Sequence, residues 1–310
     1  MELPLVSGYA KEQRSREAME RELEIARRIQ ASFLPDSLPQ PEGWEIACRF
    51  EAAREVAGDF YDAFTLAGGR RTGLVIGDVC DKGVGAALFM ALFRSLIRAF
   101  ADQHYSLGWM DVLASDAMGG DGADASTQNS RQPASVHRRR ELLSPGTTAL
   151  KKAVVLTNDY IARNHDQANM FATLFFGVLD PSTGTLTYIN GGHEPPILVG
   201  QSGIKARLAP TGPAVGLFTG VEFGIEQIEL ETGDTLLVFT DGVLDARNSV
   251  DQPFGELKLE RLVQQPAASA ELCLEKILQN LHRHMSGVDQ FDDITMLAVR
   301  RSAPIDQHIL

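Results

Sequence analysis

Cysteine is scarce in this chain, which contains only Cys48, Cys80 and Cys273 among its 310 residues. The three lie far apart in the sequence and share none of the spacings typical of metal-binding cysteines. Neither a disulfide framework nor a thiolate metal site is therefore indicated. We expect three reduced thiols, which favours a cytoplasmic protein.

Long apolar stretches are also missing. Hydrophobic residues make up an ordinary 44% of the chain. No apolar run approaches the ~20 residues that a membrane helix needs, and the N-terminus lacks the apolar core of a signal peptide. The sequence therefore predicts a cytoplasmic location and no membrane partner.

Positive charge is in short supply as well. The chain has 29 Lys and Arg residues against 41 Asp and Glu residues, which gives a formal net charge of −12. Nucleic-acid binding relies on cations that neutralise phosphates, so we expect no nucleic-acid partner. Neither a GxxxxGK phosphate loop nor a Rossmann glycine pattern occurs, which argues against nucleotide chemistry of those types. An acidic surplus suits divalent cations instead.

What the chain does have is a set of aspartates placed where predicted strands begin or end. Asp78, for example, follows a buried-strand pattern at 72–76, and a helical pattern begins at Val84. Taken alone, any one of them could be an ordinary turn residue or a solvated carboxylate. Their recurrence at strand ends favours a shared site, whose candidates are Asp59, Asp78, Asp241, Asp292 and Asp293.

The order of predicted elements indicates the fold class. Periodicity predicts a helix, three strands, two helices, many strands, two helices and a closing strand. This is an α+β pattern rather than the alternation of a doubly wound sheet. Antiparallel sheets can bring strand ends from distant parts of the chain to one rim. Carboxylates gathered there without histidine or cysteine select hard cations such as Mg²⁺ or Mn²⁺.

Three segments fall outside the main domain, which we place at 37–302. Residues 1–36 form a helical linker that either packs on its own domain or dimerises. A polar, low-complexity insertion at 115–146 follows a helix expected to end near Ala101, and we expect this insertion to be weakly ordered. Residues 303–310 form a tail. The apolar stripe of the linker helix comprises Met19, Leu23, Ala26, Ile29 and Phe33.

The chain resembles a known family through four motifs that occur in order. They are REVAGDFYD at 54–62, GDVCDKGVGAAL at 77–88, FTDGVLDA at 239–246 and DDIT at 292–295. Together they resemble the SpoIIE/RsbU-type bacterial serine phosphatases, a branch of the metal-dependent protein phosphatase 2C superfamily. The resemblance implies a four-layer α/β/β/α sandwich of two antiparallel sheets flanked by helices. It also implies two Mn²⁺ or Mg²⁺ ions at one edge.

The same resemblance assigns roles to individual residues. Asp78 would bridge both ions, and the Val79 carbonyl would assist it. Asp59 would complete the shell of one ion. Asp241 and Asp292 would hold the other.

Four further residues are candidates with an open alternative. Asp293 would either bind metal or support the site through hydrogen bonds. Arg54 and Lys82 lie close in sequence to the metal residues and would hold the phosphate, or else form surface charges or ion pairs. His193 would either act near the phosphate as a proton donor or serve as a hydrogen-bonded structural histidine.

The resemblance implies a serine/threonine protein phosphatase. Its substrate would be phosphoserine or phosphothreonine on a regulatory protein, by family resemblance a STAS-type anti-sigma-factor antagonist, with a possible homodimer through the N-terminal helix. Two alternatives stay open at this point. One is a hydrolase of small phosphate esters or nucleotides, and the other is a non-catalytic signalling module.

Overall fold

The computed structural model describes residues 3–118 and 145–302. Most of the predicted insertion at 115–146, and all of the tail at 303–310, lie outside the described residues. Where the insertion was expected to begin and end, the structure has helix instead, through residue 118 and from residue 145.

Within the described residues the chain forms six α-helices and ten strands. The helices are α1 (Leu3–Ala31), α2 (Val84–Met118), α3 (Pro145–Asn164), α4 (Gly242–Asp245), α5 (Glu256–Val263) and α6 (Ala270–His284). The strands are β1 (Trp44–Glu51), β2 (Asp59–Leu66), β3 (Arg71–Val79), β4 (Ala172–Leu179), β5 (Thr185–Gly191), β6 (Ile197–Gly200), β7 (Gly203–Arg207), β8 (Glu226–Glu229), β9 (Thr235–Phe239) and β10 (Ile294–Arg301).

The strands form two five-stranded sheets in which all the strand pairs are antiparallel. The spatial order is β1-β10-β9-β6-β7 in one sheet and β2-β3-β4-β5-β8 in the other. Central strands are covered on both faces, so they are nearly continuous apolar runs rather than strictly alternating ones. The first six residues of β10, for instance, are all buried.

Apolar side chains from both sheets meet between the sheets. Ile76 and Phe175 of one sheet belong to the same buried cluster as Leu236, Val238 and Leu297 of the other. This cluster joins the two sheets face to face, because each contributes the inward side chains of its pleat.

Helices cover the outer face of each sheet. Phe93 of α2 and Leu150 of α3 pack in one cluster with Phe176 of β4. Ile277 of α6 packs in another cluster with Met296 of β10. The result is the predicted α+β sandwich with helix, sheet, sheet and helix layers.

Helix α2 is longer than the sequence predicted, because it continues past Ala101 to Met118. The change in composition after residue 101 was taken as the end of the helix, but packing overrides it. Ala101 and Tyr105 are buried in the cluster that contains Ala149 and Leu150 of α3. Contact with a neighbouring helix thus stabilises turns whose sequence alone looked like the start of a loop.

The beginning of α2 also qualifies a second sequence expectation. Residues Val84–Tyr105 are long and apolar enough to cross a membrane by length and composition, although no such run was expected. In the sandwich this stretch is a helix packed on β2, β3 and α3. Its buried face includes Met90, Phe93 and Ile97.

Helix α1 is mostly exposed, but its last turn is anchored to the domain. Gln30 is buried, with 7% of its surface exposed. Its side-chain amide donates to the Ala57 carbonyl at 2.6 Å and accepts from the Ala57 amide at 3.0 Å. The helix is therefore tied to the loop that leads into β2, two residues before Asp59.

Candidate metal centre

The centre of the site is a pair of aspartates on neighbouring strands. Asp59 begins β2, and Asp78 lies directly opposite it near the end of β3. Antiparallel pairing places their side chains on the same face of the sheet. Two threonines of the other sheet donate hydrogen bonds to Asp59 Oδ2. Thr240, directly after β9, does so at 2.7 Å, and Thr295 of β10 does so at 2.5 Å. The carboxylates therefore lie where the two sheets meet.

Asp241 and Asp292 come from the second sheet. Asp241 directly follows β9, and Asp292 lies two residues before β10, the strand that pairs with β9. The strand ends approach closely at Gly242, where an added Cβ would collide with the Asp293 carbonyl oxygen. Only glycine fits at this position, which explains why the sequence has Gly after Asp241.

The Val79 carbonyl lies beside Asp78. A Cβ built on Gly58 would sit 2.9 Å from Val79 O and 3.6 Å from Asp78 Oδ1. Both oxygens thus face the same point next to Asp59. A side chain at position 58 would displace them, so the glycine before Asp59 is required by this close approach.

Asp293 supports the loop before Asp59. Its Oδ1 accepts from the Ala53 amide and its Oδ2 from the Gly58 amide, each at 2.8 Å. Both carboxylate oxygens are engaged with backbone donors. Of the two roles that the sequence left open, this geometry favours support through hydrogen bonds over direct metal binding.

The carboxylates influence one another electrostatically. Burial, followed by the charges of Asp241 and Asp292, raises the pKa of Asp78 to about 7. Burial and the charge of Asp78 raise the pKa of Asp59 well above its usual value, against the lowering effect of its two threonine hydrogen bonds. The pKa of Asp241 is raised by burial first and then by Asp292. The group carries more negative charge than its surroundings favour.

This donor set fits a hard divalent cation. Among the residues that the structure describes, no three Asp, Glu, His or Cys side chains converge as closely as an enclosed ion would require. The donors are nevertheless all oxygens, and their mutual repulsion is what a cation offsets. Lys82 supplies part of the positive charge that offsets the carboxylates, because its Nζ lies 2.6 Å from Asp292 Oδ2. Oxygen ligands of this kind suit Mg²⁺ or Mn²⁺.

The three candidate phosphate-binding residues lie in different settings. Lys82 contacts the site through Asp292 and the Phe291 carbonyl. Arg54 is exposed in the loop between β1 and β2, and forms no ion pair with another described residue.

For His193 the structure favours a structural role over phosphate binding. The side chain is 2% exposed, and its Nδ1 lies 2.9 Å from Thr173 Oγ1. Burial lowers the pKa of His193 to about 3. A buried histidine with a lowered pKa is a poor proton donor near neutral pH, which favours the hydrogen-bonded structural role that the sequence left as its alternative.

Some residues of the site were missed by sequence reasoning. Thr240 and Thr295 lie within two of the aspartate motifs, FTDG and DDIT. Nothing in the sequence links either threonine to Asp59 of the other sheet. Gln30 was overlooked within a charged helix, where an uncharged polar residue carries no special signal. Glu194 follows His193, and its pKa is raised by burial first and then by Asp241, so its carboxylate lies close to this site.

Comparison with known proteins identifies the family to which the chain belongs. The family model described as Stage II sporulation protein E (SpoIIE) matches residues 68–302. Protein IcfG from Synechocystis sp. is 45% identical over 282 residues, which cover 91% of this chain and 42% of IcfG. Phosphoserine phosphatase RsbP from Bacillus subtilis is 24% identical over 291 residues, which cover 90% of this chain and 57% of RsbP. The chain thus spans about half the length of these two relatives.

A solved structure supports the architecture. The SiaA-PP2C domain of Pseudomonas aeruginosa matches with a TM-score of 0.61 and 22% identity, covering 92% of this chain and 98% of that domain. At this identity the likeness bears on the fold alone. It agrees with the two-sheet sandwich described above.

Proposed function

Because the chain belongs to the SpoIIE family of PP2C-type serine phosphatases, we propose that it hydrolyses phosphoserine or phosphothreonine on a regulatory protein. The observation that carries the proposal is the Asp59 and Asp78 pair, which face each other across two strands. Asp59 is buried and Asp78 is half-buried, and burial and neighbouring carboxylates raise the pKa of both. A phosphatase of this kind needs such a concentration of oxygen ligands at one point.

The residues that would hold two Mn²⁺ or Mg²⁺ ions are Asp59, Asp78, the Val79 carbonyl, Asp241 and Asp292. When bound, such ions activate a water molecule and withdraw charge from the phosphoryl group. Thr240 and Thr295 hold Asp59 in one orientation through two hydrogen bonds to the same oxygen. Asp293 fixes the loop that precedes Asp59.

Among the described residues, Lys82 is the cation that pairs directly with a proposed metal ligand, so it is well placed to meet the substrate. Its side chain is one third exposed and its ammonium pairs with Asp292, so it can turn toward an arriving phosphoryl oxygen. Positioned positive charge of this kind favours phosphoryl transfer because it stabilises charge on the phosphoryl oxygens. We assign His193 no part in phosphate binding, because it is buried and burial lowers its pKa.

The substrate class follows from the family and remains part of the proposal. RsbP, one of the relatives, is a phosphoserine phosphatase. We expect the substrate here to be a phosphorylated STAS-domain anti-sigma-factor antagonist. We also expect self-association through α1, whose Met19, Ile25 and Ile29 are about half or more exposed.

The test is phosphate release from a phosphorylated STAS-domain protein and from p-nitrophenyl phosphate, with Mn²⁺, Mg²⁺ or EDTA present. The proposal expects release from the phosphoprotein with Mn²⁺ or Mg²⁺ and none with EDTA. Release from the small ester alone would favour a small-ester hydrolase. No release from either substrate with either metal would contradict catalysis altogether.

A further inference from the structure

An exposed aromatic ring lies at the rim of the carboxylate site, with two cations over it. Phe291, directly before Asp292, is 50% exposed. The Nζ of Lys82 and the Cζ of Arg247 each lie 4.8 Å from the centre of its ring. Both distances are within the range of cation–π contacts.

The three side chains come from three separate segments that also carry the candidate metal residues. Lys82 follows β3 and Asp78, Arg247 follows α4 and Asp241, and Phe291 precedes β10. The fold thus brings one aromatic and two basic side chains to the same edge as the carboxylates. We name Lys82, Arg247 and Phe291 the rim cluster.

The charges of the rim cluster have capacity for a further anion. The two cations lie less than twice 4.8 Å apart, because each is that distance from one ring centre. Arg247 pairs with Asp251 at 2.9 Å, but that carboxylate is 81% exposed. Such an exposed pair is weak and readily exchanged.

We propose that the rim cluster is the docking site for the phosphoserine-bearing segment of the substrate. The Arg247 guanidinium donates hydrogen bonds to phosphoryl oxygens, and the Phe291 ring contacts the apolar side chain next to the phosphoserine. The inference rests on the proposed function and deepens it, by naming residues that select a phosphorylated protein segment. A planar guanidinium with several donors suits this task better than an ammonium does.

The charge balance of the molecule favours such a cluster. A phosphoserine side chain brings close to two negative charges toward a chain of net charge −12 and a site built from aspartates. Without local positive charge at the entrance, repulsion would oppose binding. Lys82 pairs with the half-buried Asp292 of the site, whereas the partner of Arg247 is exposed, so Arg247 is the cation of the cluster that exchanges its partner more readily.

The test measures equilibrium binding without turnover. The probes are short fluorescein-labelled peptides in which phosphoserine is replaced by its methylene phosphonate, which phosphatases do not cleave. One probe flanks this residue with leucines and a second flanks it with glycines, and a third carries plain serine. Anisotropy is recorded with the full chain in Mn²⁺.

Arg247→Gln should weaken binding of the leucine-flanked phosphonate by roughly tenfold, the loss expected when a charge-assisted hydrogen bond is removed. Arg247→Lys should restore part of it. Arg163→Gln is the matched control, because Arg163 also pairs with an aspartate four residues away on the surface. Phe291→Ala should weaken the leucine-flanked probe more than the glycine-flanked one.

Two results would overturn the inference. One is binding by Arg247→Gln that stays within about twofold of the Arg163→Gln control. The other is an equal response of both flanking probes to Phe291→Ala. Failure of the proposed function looks different, since the phosphonate would then still bind in an Arg247-dependent manner while no phosphate is released from any phosphoprotein.

Discussion

Asp59 is held between opposing influences. Burial and the charge of Asp78 raise its pKa, while the hydroxyls of Thr240 and Thr295 favour its ionised form. Both hydroxyls donate to Oδ2, which orients the carboxylate and leaves Oδ1 without a threonine donor. An oriented carboxylate binds a metal ion more tightly than a free one, because less ordering is required on binding.

Replacing the Asp59 hydrogen-bond donors should therefore weaken metal binding. We predict that Thr295→Val lowers Mn²⁺ affinity about tenfold, the scale typical of groups that hold a metal ligand in place. Thr235→Val is the matched control, since Thr235 is equally buried but its hydroxyl has no partner among the described residues. Isothermal titration with Mn²⁺ measures both. Equal affinities of the two variants would show that the hydroxyls do not matter.

The raised pKa of Asp78 predicts how pH affects stability in EDTA. Its pKa rises from 3.8 to about 7 on folding, so between these values the folded chain binds more protons than the unfolded chain. This group therefore makes the folded state less stable as the pH rises through that window. Asp78→Asn lacks the titrating group. In urea unfolding, the free energy of unfolding of the variant should rise relative to that of the wild type as the pH increases from 5 to 7. If the difference between the two free energies were the same at both pH values, the pKa assignment would be contradicted.

At the scale of elements, hydrogen bonds attach the end of α1 to the loop before β2. Gln30 pairs with both backbone groups of Ala57, and Gly58 next to it donates to Asp293. Movement of the last turn of α1 is thus transmitted through one loop to the residue before Asp59. The end of the linker helix is part of the support of the site.

Gln30→Leu should remove both of these hydrogen bonds. We predict a loss of roughly 2–6 kcal/mol in the free energy of unfolding, because two buried backbone groups would lose their partner at ~1–3 kcal/mol each. Gln13→Leu, at an exposed position of the same helix, is the control. Urea denaturation compares the two. If Gln30→Leu were as stable as Gln13→Leu, the helix would be only loosely attached.

The sequence predicted those features that depend on local pattern. Strand ends are marked by turn residues, so Asp59, Asp78 and Asp241 could be placed at the ends of their strands. Features that depend on contact between distant elements were not predictable. The pairing of Thr295 with Asp59 needs the arrangement of two sheets, the true end of α2 depends on α3, and the burial of His193 depends on the loops around it.

At the scale of the whole molecule, α1 presents an apolar surface with no cover among the described residues. Met19 is 61% exposed, Ile25 49% and Ile29 55%, whereas Leu23 and Ala26 are half-buried. Ile25 and Ile29 lie four residues apart and so are neighbours on one side of the helix, and Met19 lies further around it. A second copy of the chain would bury this stripe, in line with the dimer expected from the sequence.

Substituting the stripe should weaken association and activity together. We predict that the double variant Leu23→Ser, Ile29→Gln has a lower dimer fraction and a lower phosphatase rate, because a rigid helix pair can hold the Gln30 contact in place. Light scattering and rate are read across protein concentration. A chain that is monomeric at every concentration, with the rate of the double variant unchanged, would mean that α1 does not act through dimerisation.

The central claim is that paired strand-end carboxylates make this chain a metal-dependent phosphoserine phosphatase. The direct measurement is Mn²⁺-dependent phosphate release from a phosphoserine protein by the wild type, by Asp78→Asn and by Asp289→Asn, a nearby variant outside the proposed metal ligands. We predict that Asp78→Asn abolishes turnover while its far-ultraviolet circular dichroism stays like that of the wild type, and that Asp289→Asn retains activity. Release by Asp78→Asn at the wild-type rate would contradict the account.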